Sequence, residues 1–116
     1  MQIPRNFDGL IEQTKGLGLY KKLIIQLNKD LVLANIDLVF NEDILPTSLK
    51  LILQEKINKL IQEKFTDYLN LLYIIDVSEH KIKLLTSNDT LEISEQVTFL
   101  ILQREWQKVW HKYFYN

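Results

Sequence analysis

The chain reads as an all-α protein, a four- to five-helix up-and-down bundle with two long helices, and three features of its residues lead there. Turn formers are scarce, with three Gly and two Pro in 116 residues, too few for the many reversals of an all-β fold. Leu, Ile, Lys, Gln and Glu dominate instead, a bias that suits long helices. Apolar residues then recur at steps of three and four over long stretches, the period of one helix face.

Residues 1–16 predict an arm or a short helix: Phe7, Leu10 and Ile11 make one amphipathic turn, and Gly16 and Gly18 interrupt it. The first firm helix is expected from about Leu17 to Asn35. Tyr20, Leu23, Ile24, Leu27, Leu31 and Ala34 form its apolar face, with Lys21, Lys22, Lys29 and Asp30 mostly off it. Asn35 is the stop, Ile36 to Phe40 has an extended pattern, and Asn41, Glu42, Asp43 and Pro46 mark a connection.

A single long helix is predicted from Pro46 to Ile75, with Pro in its first turn. Leu49, Leu53, Ile57, Ile61, Phe65, Tyr68, Leu72 and Ile75 step along one face. At 1.5 Å per residue it would reach about 45 Å, so it should bend or project. Ser78 is a candidate N-cap for a short helix to about Leu85, with Val77 and Ile82 as its hydrophobic staple. Asp89 and Glu92 resemble a capping box. The last helix should run from about Thr90 to Tyr113. Its stripe is Phe99, Leu102, Trp106, Val109, Trp110 and Tyr113, widened by Ile93, Val97, Leu100 and Ile101. Short connections favour antiparallel neighbours.

One domain, 1–116, is the size prior for such a chain. With 47% hydrophobic and 25% charged residues the composition is that of a globular protein. Fourteen Lys and Arg against fifteen Asp and Glu give a net charge of −1, without the basic excess of a phosphate-neutralising protein. There is no Cys, so thiolate chemistry, disulfides and Cys-ligated zinc are excluded. Met1 to Arg5 has no apolar run like that of a secretory signal. The longest uncharged stretches, Tyr68 to Ile75 and Gln96 to Gln103, fall far short of the roughly 20 residues of a membrane span. A cytoplasmic protein is expected.

Motifs for chemistry are absent or incomplete. His80 and His111 have Val77 and Lys108 three residues before them, so the Glu-x-x-His pairs of a di-metal bundle are missing. Asp76, Glu79 and His80 cluster at a helix start, where carboxylates favour the dipole without any metal. No metal and no cofactor are expected. Ser48, Ser78, Ser87 and Ser94 fall at caps or helix surfaces, and no Gly-x-Ser-x-Gly elbow exists. Gly16-Leu17-Gly18 lacks the rest of a phosphate loop. Glu92 and Glu95 share a polar face.

The segment from Arg104 to Tyr115 is the most distinctive. It holds both tryptophans, Trp106 and Trp110, with three further aromatics, and Arg104, Lys108 and Lys112 stand four apart. Arg104, Lys108, Trp110, Lys112, Phe114 and Tyr115 are the candidate contact surface: aromatic anchors flanked by cations. The competing reading puts Trp106, Trp110 and Tyr113 in the core, with the cations complementing the helix C-terminus.

Two stretches, Tyr68-Leu69-Asn70-Leu71-Leu72-Tyr73-Ile74-Ile75-Asp76-Val77-Ser78-Glu79 and Thr98 to Trp110, resemble an uncharacterised family of short cytoplasmic helical proteins from Bacteroidetes. The resemblance implies a small helical protein and carries no catalytic or binding residue. The expected function is a non-enzymatic interaction module that pairs with another protein or, more favoured, with itself as a homodimer. The alternatives are a nucleic-acid-associated protein using the basic-aromatic helix end, and a small-ligand-binding bundle.

Overall fold

The computed structural model describes residues 2–115. It is all-helical, with helix over 74% of the described residues and no strand among them. Six helices follow in order: α1 Phe7–Gly16, α2 Tyr20–Leu33, α3 Pro46–Glu63, α4 Phe65–Ile75, α5 Glu79–Lys83 and α6 Thr90–Tyr115. None is long and apolar enough to cross a membrane.

Of the arm and the short helix expected at the start, the structure has the helix. The Asn6 side chain accepts from Gly9 N at 2.8 Å and caps α1, and Leu10 is fully buried. Gly18 closes α1 with φ 70, a left-handed turn that a side chain would strain. In α2 the predicted apolar face packs inward, with Leu23, Ile24, Leu27 and Leu31 inaccessible. Asn35 ends it in the left-handed conformation, φ 59. The extended segment after it forms no strand. Asn28 on α2 pins it instead: its amide nitrogen donates to Phe40 O at 2.8 Å and its oxygen accepts from Phe40 N at 2.9 Å. That clamp supplies the backbone partners a strand neighbour would give, and it buries Ile36 and Phe40.

The single helix expected over 46–75 is two. Lys64, φ −142 and ψ 62, leaves the helical region and separates α3 from α4. No Gly or Pro lies nearby, so the cause is tertiary. A straight helix of about 45 Å would overrun a molecule whose longest dimension is 36 Å. The break folds the second half back and shifts the buried stripe: Leu60 and Leu71 are buried, while Phe65, expected inside, is 54% exposed. The Ser78 cap is also corrected, since its side chain makes no capping bond to α5. At α6, Leu91 N donates to Asp89 Oδ1 at 2.9 Å, but Glu92 accepts from Ser87 Oγ rather than closing a capping box.

Helix α6 is the central element. It packs against α1, α2, α3 and α4, most extensively against α3. Facing pairs Asn58–Ser94 and Gln62–Thr90 set α3 antiparallel to it, and Gln26–Lys112 and Asp30–Lys108 do the same for α2. Its wide apolar girth is therefore explained by neighbours on several sides, α1 included: Trp106 Nε1 donates to Gln13 Oε1. Val97, Ile101, Leu102 and Trp106 are inaccessible.

Candidate functional site

The α2–α6 seam departs from the apolar rule. Gln26 and Asp30 lie one turn apart on α2, and Glu105, Lys108 and Lys112 on α6. Lys108 Nζ donates to Asp30 Oδ2 at 2.7 Å, and Gln26 Nε2 donates to the same oxygen at 3.3 Å. Lys112 Nζ donates to Gln26 Oε1 at 2.9 Å, so the amide relays one cation to the other. Asp30 and Gln26 are buried, and Glu105 is completely so.

Two buried carboxyls and one largely buried ammonium share this space. Ionising both acids would leave an uncompensated negative charge at a cost of several kcal/mol. The two pKa values separate accordingly. Burial, and then the adjacent Asp30 carboxylate, push Glu105 up to about 9, against a weaker pull from Lys108. Burial would raise Asp30 too, but the contacts from Glu105 and Lys108, the Lys108 charge and the Gln26 amide outweigh it and hold that acid below its ordinary range. At neutral pH the seam is therefore a neutral carboxylic acid beside a Lys–Asp ion pair. The protonated acid leans on Asp30 without a well-formed hydrogen bond, and Lys108 Nζ lies 3.2 Å from its Oε1.

Shallow grooves flank the seam. One, about 560 Å³, is lined by Arg104, Gln107, Lys108, Trp110, His111, Lys112 and Gln26. The other, about 640 Å³, lies between Leu19, Lys22 and Ile25 on one wall and Val109 and Tyr113 on the other. Neither Asp30 nor Glu105 lines either groove. Lys108, which contacts both acids, is the member of the trio that reaches the first groove.

Four of the six sequence candidates, Arg104, Lys108, Trp110 and Lys112, meet at the first groove. Phe114 packs on Trp110 at a tilt and Tyr115 meets it edge-on, with centroids 4.6 and 5.8 Å away. The cations are not a free stripe. Arg104 bonds Asp76 at 3.1 Å, Lys108 turns inward, and Lys112 holds Gln26. The aromatics divide as well. Trp106 is core and Trp110 half-buried, whereas Tyr113, Phe114 and Tyr115 are 60%, 47% and 69% exposed. Tyr113, which the apolar stripe places inside, instead forms part of the wall of the open second groove.

Elsewhere, Asp76 commits its carboxylate to Arg104, and no three His, Asp or Glu among the described residues gather as metal ligands. Ser94 is not on a surface. It is fully buried, donating to Thr90 O at 2.6 Å. No family model, curated protein or solved structure matches the chain.

Proposed function

We propose that this chain is a non-enzymatic helical interaction module that pairs with a second copy of itself through the aromatic end of α6. The observation carrying the reading is the exposure of three consecutive rings, Tyr113, Phe114 and Tyr115, on a helix that is otherwise central and covered. Phe114 rests on Trp110, so the patch has a rigid base, and aromatic anchors of this kind dominate association energetics.

The groove beside the patch supplies a receptor. Ile25, 43% exposed, faces Tyr113 across it, with Leu19 and Val109 at its floor. Rings of one copy entering the groove of the other, and the reverse, make a self-complementary two-fold contact, the commonest oligomeric arrangement. Nucleic acid is a poorer fit, because Arg104, Lys108 and Lys112 already have partners within the fold. Membership of the Bacteroidetes group and a cytoplasmic location belong to this proposal and add no residue to it.

Light scattering across a dilution series tests it. A dimeric mass at tens of micromolar that becomes monomeric in a Phe114→Ala/Tyr115→Ala variant supports the reading. A monomer throughout, or a dimer indifferent to the two substitutions, overturns it.

A further inference from the structure

The groove between α2 and the end of α6 is built from two matching triplets. Lys22, Ile25 and Gln26 on α2 and Val109, Lys112 and Tyr113 on α6 share the i, i+3, i+4 spacing that sets three side chains on one helix face. Each wall therefore brings one cation to the rim. Leu19 and Val109, both buried, make the floor apolar.

Neither cation has a counter-charge. No Asp or Glu lines the groove. Lys22 is exposed and forms no ion pair among the described residues. Lys112 forms none either, and the Gln26 oxygen that its Nζ meets at 2.9 Å is neutral. The patch that pairing brings to this groove, Tyr113-Phe114-Tyr115, carries no acid. The acid nearest before it on α6 is Glu105, which is inaccessible. What the patch offers instead is ring faces, whose negative quadrupole attracts a cation. The chain already makes this contact twice within its own fold, with Lys15 Nζ 5.5 Å from the Tyr20 centroid and Lys50 Nζ 5.3 Å from that of Phe7.

We propose that Lys22 and Lys112 hold the partner copy's rings through cation–π contacts, so that the groove selects an aromatic anchor over an aliphatic one. This specificity rests on the two-fold pairing proposed above. A leucine side chain would fill the same floor, yet it would draw two ammonium groups out of water with no negative surface to meet them. Plain charge repulsion gives the opposite sign at Lys22. Two cationic rims approach each other with no acid between them, so repulsion alone would make a neutral residue at Lys22 tighten the dimer. Where Lys22 meets a ring, the same change loosens it.

Sedimentation equilibrium of the full chain tests this through the dimer dissociation constant. Lys22 is the cleaner probe, because Lys112 also holds Gln26. Lys22→Met keeps an apolar stem and removes the charge, and at an exposed position it should melt like the parent. It should raise the dissociation constant about tenfold, since two-fold symmetry removes the contact twice. Lys22→Arg should stay close to the parent, because a guanidinium also sits over rings. Phe114→Leu/Tyr115→Leu keeps apolar bulk and should weaken the dimer about tenfold, and Lys22→Met in that background should add nothing further. A Lys22→Met dimer as tight as the parent or tighter, or one that weakens the leucine variant by its full factor, overturns the proposal. A chain that stays monomeric, or a dimer that ignores Phe114→Ala/Tyr115→Ala, removes the two-fold pairing and this specificity with it. Sensitivity to those alanines together with indifference to Lys22→Met removes the specificity alone.

Discussion

Helix α6 meets α3 and α2 through seams of opposite character. Against α3 the contact is broad. It is apolar along Leu49, Leu53, Ile57 and Leu60, its hydrogen bonds are neutral, Ser94 to Asn58 and Gln62 to Thr90, and its ion pair, Lys50 to Glu95 at 3.7 Å, lies out in solvent rather than in the interior. Against α2 the contact is narrower and holds the buried Asp30 and Glu105 with the largely buried Lys108. Apolar burial stabilises at any pH and tolerates small shifts in register. A buried charged set is a poor source of net stability, because desolvation offsets attraction, but it penalises every register that separates the partners. The α3 seam thus supplies cohesion, and the α2 seam fixes where α2 sits along α6.

The largest expected effect lies on the apolar side. Trp106→Ala should destabilise by about 3–5 kcal/mol, and by a similar amount at every pH, since the ring's loss is one of packing and cavity formation. Chemical denaturation at two pH values checks both parts.

Next comes the charged seam. Lys108→Met should cost about 2–4 kcal/mol at neutral pH, because Asp30 then keeps a buried charge without its cation. Adding Asp30→Leu should recover most of that loss, which no apolar deletion at the α3 seam can imitate. If the single variant is as stable as the parent, the ion pair is reached by water and the contrast between the seams fails. The smallest effect is Ser94→Ala, about 1 kcal/mol, the scale of one neutral hydrogen bond. A loss comparable to Lys108→Met would mean that the α3 seam also depends on its polar bonds.

The helical class, the inward face of α2 and the Asn35 stop are legible because each depends on local spacing or on one residue's conformational freedom. The burial of Trp106 follows from its place in the stripe. The break at Lys64 is illegible, because nothing local forbids a helix there and only the size of the folded molecule does. Glu105 was invisible for a similar reason. Within Arg104-Glu105-Trp106-Gln107-Lys108 a glutamate reads as solvated, and both the burial that keeps Glu105 protonated and the Asp30 carboxylate beside it come from a helix distant in sequence, Asp30 standing 78 positions from Lys108. A faint signal existed: Gln26 and Asp30 flank the α2 stripe one turn apart, as Glu105, Lys108 and Lys112 flank that of α6. Of the candidate surface, the aromatic half was readable from the excess of rings, whereas the cations' internal partners were not.

The contrast between the two seams depends on a neutral Glu105, and the pH dependence of stability measures it. An acid whose folded pKa is raised binds its proton in the folded state after the unfolded chain has released it. Stability therefore falls as pH rises between the ordinary value of 4.5 and about 9, and it levels off outside that window. Asp30, held low, acts oppositely and only in acid, losing its contribution as pH falls through its folded value. Between about pH 6 and 8 the Glu105 effect stands alone, at about 1.4 kcal/mol per pH unit or roughly 4–6 °C in Tm. Glu105→Gln keeps the shape and a donor toward Asp30 but has no proton to lose. Denaturation of parent and variant across that range should give a parent that weakens with pH and a variant that stays level and is the more stable at pH 8. Two parallel lines would contradict a buried, protonated Glu105 and with it the distinction between the two seams.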